Sequence, residues 1–286
     1  MSNTNKKKSN KTLRILYAIL GISLAGILTF GVWLGIELYR DWQSQSFYTA
    51  FAAGIEMRPR TPGNPGNISG PAASAPAPQN QTVDAAAPDG EVLPEPENPW
   101  VPLVDFDALN EQFPGVVGWI TLEGTAINYP IMQYTDNDYF LTHLPDGTRH
   151  RSGSIFMDYR NKSDFSDFNT ILYGHMSRTE DMFGVLKHYR EQDFYDRNPV
   201  MFIHTPYADY QLIIFTVYLV DSAHEQPRIS FESTDDYQQY LREIMSRSLV
   251  RTNVEMSANY RIVTLATCAY DFANARLVVV GKLVEF

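Results

Sequence analysis

Twenty-two consecutive residues, Ile15 to Ile36, contain no charged side chain. As a helix rising 1.5 Å per residue, such a run reaches about 33 Å, enough to cross a hydrocarbon core roughly 30 Å thick. A buried core helix seldom keeps so long a charge-free stretch. A cleavable signal peptide has a shorter apolar region followed by small residues, whereas here the run continues through Phe30, Val32, Trp33, Leu34 and Ile36. The segment therefore reads as an uncleaved anchor in the lipid bilayer. Lys6, Lys7, Lys8, Lys11 and Arg14 precede it, and the mixed set Glu37, Arg40 and Asp41 follows it. The positive-inside rule then puts residues 1–14 in the cytoplasm and everything beyond residue 37 outside the cell, a single-pass type II arrangement.

Residues 37–56 read as a juxtamembrane continuation of the helix, with Leu38, Trp42, Phe47, Tyr48 and Phe51 as interfacial anchors. Residues 57–99 hold ten of the seventeen prolines and almost no large apolar side chain. That composition predicts a disordered linker, because it buries too little apolar surface to offset the entropy of ordering. Residues 100–286 remain for one folded domain. Past the basic tail the chain carries 18 basic against 33 acidic side chains, a balance that excludes a nucleic-acid binder needing a basic stripe. The single cysteine, Cys268, excludes a disulfide framework and cysteine-based zinc clusters.

Within the folded part, Phe106–Phe113 reads as a short helix with Asp105 as N-cap and Pro114 beyond its end. Eight strand-like runs follow: 116–122, 126–133, 153–157, 170–173, 201–204, 210–221, 260–267 and 277–286. Two stretches, 182–189 and 234–248, have helical spacing; the second sets Tyr237, Tyr240, Leu241 and Ile244 three and four residues apart. Many short strands with few helices predict a mainly β fold, a closed or nearly closed barrel.

The strongest local signal is YRIVTLATCAYDFANARLVVVGK, Tyr260 to Lys282. Two apolar, β-branched runs flank a turn-rich stretch, so adjacent strands bring Cys268 and Arg276 within reach of each other. A guanidinium beside a thiol favours the thiolate and donates hydrogen bonds to an oxyanion. A lone cysteine is otherwise a small buried hydrophobe. A cysteine nucleophile needs a proton acceptor, usually histidine. His175, in NTILYGHM, stands where an apolar strand ends; His204 is its chief competitor, and His143, His150, His188 and His224 read as ordinary surface or hydrogen-bonded residues. No histidine pair has zinc-protease spacing. Asp158, Asp164, Asp167, Glu180 and Asp181 lack calcium-loop spacing and read as a solvated surface. Neither a metal nor a cofactor is expected.

Thr264–Cys268, TLATC, resembles the T-L-x-T-C signature of sortases, the cysteine transpeptidases of Gram-positive cell surfaces. The eight-residue step from Cys268 to Arg276, the LVVVGKL run, Leu172–His175, INYPIMQ at Ile127–Gln133 and GSIFMDYRN at Gly153–Asn161 are similar to class B sortases. The resemblance implies an eight-stranded sortase barrel with a helix before the penultimate strand. It implies that Cys268 attacks the carbonyl after a threonine in a C-terminal sorting signal of a surface protein, forming a thioacyl enzyme. By the same resemblance His175 is acid and base, Arg276 positions the substrate and stabilises the oxyanion, and an amine of a peptidoglycan cross-bridge or a pilin lysine releases the product. It also implies that Asn128 and Met132 contact the signal, with Thr267 and Tyr270 beside the nucleophile. Class B members usually carry serine where this chain has Ala266.

Two other readings stand beside this one. A class C pilin polymerase has an Asp-Pro-aromatic lid motif, for which Asn98, Pro99 and Trp100 are the nearest match, and a proline soon after the cysteine, where this chain has Ala269. A non-catalytic surface adhesin would merely bury Cys268.

Overall fold

The computed structural model describes residues 3–53 and 104–286, apart from 178, 226 and 269–273. Eight strands are present: β1 (Val116–Thr121), β2 (Asn128–Met132), β3 (Ile155–Met157), β4 (Asn169–Tyr173), β5 (Val200–His204), β6 (Asp209–Asp221), β7 (Ile262–Cys268) and β8 (Ala275–Glu285). They close into a barrel in the order β1-β2-β3-β4-β7-β8-β6-β5. The β2–β3 and β4–β7 pairs are parallel and the others antiparallel. Each of the eight predicted runs overlaps one of these strands, with ends that differ by no more than two residues.

The LVVV run of β8 is apolar on both faces because both faces are covered. Leu277 and Val279 belong to the barrel interior, with Val263, Leu265 and Ile203. Val278 and Val280 point the other way, into a second apolar layer with Phe215, Tyr218 and Ile262. That layer is capped by α4 (Thr234–Ser246), whose Tyr237, Tyr240, Leu241 and Ile244 form its buried stripe. The Ser233 side chain accepts from the Asp236 amide and starts this helix, and Asp235 and Asp236 sit in its first turn, where the helix dipole favours acids.

A third apolar layer covers β1 and β2. Here α2 (Phe106–Gln112) brings Phe106 and Leu109 onto Trp119, Met132 and Phe156. Asp105 caps α2 as the sequence predicts, accepting from the Ala108 amide at 3.0 Å. The other predicted helix, 182–189, is corrected. Met182 and Glu180 have positive φ, a left-handed backbone that no helix continues, and a 3-10 helix starts only at Gly184 and runs to Arg190. A short helix that lacked a clear period in the sequence, α3 (Gln192–Arg197), follows it.

One helix, α1 (Asn3–Ala53), runs through the apolar segment and on to the barrel. Its most apolar stretch has a mean hydropathy of 2.1 and none of it is buried. From Glu37 onward one face changes partner. Ser44 and Tyr48 are buried; Phe47 packs on Phe113, Phe51 on Phe113 and Trp119, and Tyr48 on Tyr129. The expectation that Phe47, Tyr48 and Phe51 are interfacial anchors is therefore corrected: they cover the barrel, while Leu38 and Trp42 stay exposed.

Candidate active site

The β7–β8 ladder runs from Ile262 opposite Lys282 to Cys268 opposite Arg276, so the cysteine and the arginine are cross-strand partners at the end of the hairpin. β4 lies parallel on the other side of β7, with Tyr173 opposite Ala266. The Gly174 amide continues that pairing to the Ala266 carbonyl at 3.3 Å, which brings His175 to the same end of the barrel. Glycine is needed at 174 because a Cβ there would lie 2.5 Å from Ile155 Cδ1 and 2.7 Å from Phe183 Cδ2. The backbone then turns sharply, and the Phe183 amide donates back to the His175 carbonyl at 3.1 Å.

These elements border a cavity of 510 Å³. His175, Tyr173, Thr267 and Arg276 line it together with Asn137, Asp138, Leu141, Phe156, Ser222 and Glu225. His175 Nε2 lies 2.7 Å from the Leu141 carbonyl. A carbonyl only accepts, so Nε2 carries the proton; in the neutral ring Nδ1 is then the basic nitrogen. Thr267 is buried at 2 % exposure, and its hydroxyl has no hydrogen-bond partner among the described residues. At the far wall, Ser222 holds the Asn274 carbonyl with both its amide and its hydroxyl, fixing the start of β8 just before Arg276. Arg247 donates to Glu225 at 2.6 Å and lies over the Tyr218 ring, so Glu225 is held at the rim by a guanidinium.

Beneath the β3–β4 side lies a buried carboxylate. Asp158 was expected on a solvated surface, and this is corrected: its side chain is fully buried, accepting two hydrogen bonds from the Arg160 guanidinium and one each from Tyr173 and Asn137. Burial by itself would raise the Asp158 carboxyl. The hydrogen bonds outweigh it and hold the group below its ordinary value of 3.8. Burial, and next the Asp158 charge, push the Tyr173 phenol well up, so it remains a donor. Asn137 also accepts from the Tyr159 amide at 3.0 Å, which fixes its orientation at the groove.

The other expected site residues fall elsewhere. Met132 is fully buried in the layer beneath α2. Asn128 is at the opposite end of β2 and accepts from the Trp119 indole at 2.7 Å. It lines a separate 460 Å³ cavity between α1 and the barrel, with Tyr48, Tyr129 and Asp181. Neither reaches the groove, and Tyr270 lies outside the described residues. His204, the competing histidine, is buried in β5 with Nδ1 2.6 Å from Asp209, and is not among the groove residues. Asn137 and Leu141 were missed in the sequence because YTDNDYFLTHL has no period of two or 3.6. Its readable signal is turn chemistry: the Asp136 carboxylate accepts from the Asp138 and Tyr139 amides, both at 2.8 Å.

Comparison with known proteins decides the family. The sequence model of the sortase domain matches residues 120–284. The chain belongs to the sortase family. It is 38% identical over 207 residues to sortase B of Listeria monocytogenes, covering 71% of this chain and 80% of that one. It is also 38% identical over 182 residues to sortase B of Staphylococcus aureus, covering 63% and 75%. A solved Staphylococcus aureus sortase B–substrate complex superposes with a TM-score of 0.60 at 37% identity, covering 63% of this chain and 84% of that one. This chain is thus a class B-type sortase, a cysteine transpeptidase on an eight-stranded barrel.

Proposed function

We propose that this sortase cleaves a C-terminal sorting signal after threonine and transfers the surface protein to an amine of the cell wall, with Cys268 as nucleophile, His175 as acid and base, and Arg276 as oxyanion donor. The observation that carries the reading is the strand pairing that sets Cys268 opposite Arg276 and runs β4 alongside toward His175. In acylation the thiolate sulfur forms a bond to the threonine carbonyl carbon. The oxyanion of the tetrahedral intermediate is stabilised by the Arg276 guanidinium. Collapse breaks the C–N bond, and the imidazolium gives its proton to the departing amine. The incoming amine attacks the thioester, the imidazole takes its proton, and the thiolate leaves. Thr267 and Tyr270 are proposed beside the nucleophile. Asn137 and Leu141 are better placed than Asn128 or Met132 to meet the signal.

Cys268→Ala and His175→Ala are each expected to abolish transfer of a fluorogenic sorting peptide without lowering the melting temperature by more than a few degrees. A variant that keeps substantial activity at unchanged stability removes that residue from the mechanism.

Membrane anchoring belongs to the same proposal. The tail 1–14 is cytoplasmic, 15–36 spans, 37–56 leads outward, 57–99 links and 100–286 is the extracellular catalytic domain. The exposed apolar half of α1 and the lysines before it support this topology. Protease added to intact protoplasts should release a fragment containing Cys268; protection of that fragment would reverse the orientation.

A further inference from the structure

The C-terminal end of α1 is bound to the loop that holds the groove histidine. Glu37, Asp41, Ser44 and Tyr48 recur every three or four residues and so lie on one helix face. Arg151 forms ion pairs with both Glu37 and Asp41. His150 Nε2 lies 3.0 Å from the Arg40 carbonyl. Tyr48, 6 % exposed, donates its hydroxyl to the Gly153 carbonyl at 2.9 Å. All these barrel residues fall between Leu141 and β3.

Gly153 is the pivot. Its φ of +54° is left-handed, and a Cβ there would lie 2.4 Å from the Phe140 carbonyl oxygen and 2.7 Å from that of Leu141. Any side chain at 153 would thus collide with the carbonyl that accepts from His175, and only glycine lets the two segments lie this close. The Ser154 amide donates to the Phe140 carbonyl at 2.9 Å and ties the same two strands of the loop together. From the Tyr48 hydroxyl to the imidazole there are only two intervening backbone groups.

We propose that Tyr48 is a positioning residue for His175, acting through the backbone of Gly153 and Leu141, so that the docked end of α1 is a working part of the active site. The proposal rests on the reading of His175 as acid and base. An imidazole displaced by about 1 Å loses on the order of a hundredfold in rate, so a loosened carbonyl partner is expected to cost roughly tenfold.

The test uses the full chain in detergent micelles, with the sorting peptide that it cleaves and ¹⁵N-labelled histidine. Tyr48→Phe removes one hydroxyl and keeps the packing against Tyr129. Tyr195→Phe is its control: another buried tyrosine donating to a backbone carbonyl, that of Ile214, away from the groove. Tyr48→Phe is expected to lower kcat by roughly tenfold and to broaden the His175 Nε2–H resonance, identified by its loss in His175→Ala. Tyr195→Phe should lower the melting temperature and leave both readouts in place. Arg151→Ala, at a half-exposed side chain, should move kcat and the resonance in the same direction by less. If Tyr48→Phe matches Tyr195→Phe in both readouts while His175→Ala is inactive, the proposal is overturned and the histidine assignment stands. Should Tyr48→Phe fail to fold, an unchanged kcat and resonance in Arg151→Ala overturns it instead. An active His175→Ala removes the acid–base reading and this proposal together.

Discussion

On the β7–β8 side of the groove, Thr267 and Arg276 stand on strands whose backbones pair without interruption from Ile262 and Lys282 to Cys268 and Arg276. On the opposite side, Asn137, Asp138 and Leu141 come from the irregular stretch between β2 and β3, and His175 stands just past the end of β4. The first wall is fixed by ladder hydrogen bonds between backbone groups, which every residue but proline can supply. The second is fixed by particular side chains: Asp158 under Asn137 and Tyr173, and Tyr48 behind Gly153. Substitutions on the strand wall should therefore alter chemistry at little cost in stability, and loss of the buried carboxylate beneath the loop wall should alter stability first, whereas Tyr48 reaches the chemistry through its link to His175.

Arg276→Lys tests the strand wall with the largest expected effect. Lysine keeps the charge and loses the planar fork that can hold an oxyanion and a neighbouring group together. Removing one oxyanion donor costs about a hundred- to a thousandfold in turnover. Acyl-enzyme formation should fall that far while the melting temperature moves little. A loss below tenfold would mean that Arg276 acts as a surface charge only.

How much of each wall was legible in the sequence follows from the same contrast. The runs flanking Cys268 are β-branched and continuous, and their pattern alone identifies two adjacent strands and the pairing of Cys268 with Arg276. The stripe Tyr237, Tyr240, Leu241 and Ile244 likewise fixes α4. INYPIM is different: it is apolar at nearly every position, because β2 is covered on both faces, so its pattern could not say that Met132 faces the layer under α2. Asn137 and Leu141 are set by an Asx turn and, for Asn137, a buried carboxylate 21 residues on, and such contacts leave no periodicity. The same is true of α1, where an all-round apolar run and a one-sided docked face join in a single helix. Phe47 and Phe51 look like membrane anchors until their barrel partners are known.

Asp158→Asn tests the loop wall. The replacement presents an amide donor where Arg160, Tyr173 and Asn137 all donate, so at least one buried donor loses its partner. A cost of about 2–3 kcal/mol is expected at neutral pH, discounted because Arg160 is half exposed and can rehydrate. The pH dependence has a definite sign. The Asp158 carboxyl titrates below its ordinary 3.8 in the fold, so its contribution is complete above that value and disappears as pH falls through the lower, folded value. Denaturant melts of the wild type and Asp158→Asn should therefore converge as the pH drops below 4. A gap that stays constant would mean that shape, not charge, sets the cost.

Thr267→Val is the smallest perturbation and probes what the strand wall keeps in reserve. A buried hydroxyl with no partner among the described residues carries a desolvation cost that the free enzyme does not recover. Valine removes the hydroxyl while keeping the β-branched shape that suits a strand. In the free enzyme the change should be neutral or stabilising, by up to about 1 kcal/mol. If the hydroxyl is kept for the sorting signal, kcat/KM should fall by roughly fivefold, the equivalent of about one net hydrogen bond. Opposite movements of melting temperature and kcat/KM would make Thr267 a substrate-contacting residue held at a cost to stability. A fall in both would assign the hydroxyl a partner inside the fold, and Thr267 would then belong to the architecture of the strand wall and not to its chemistry.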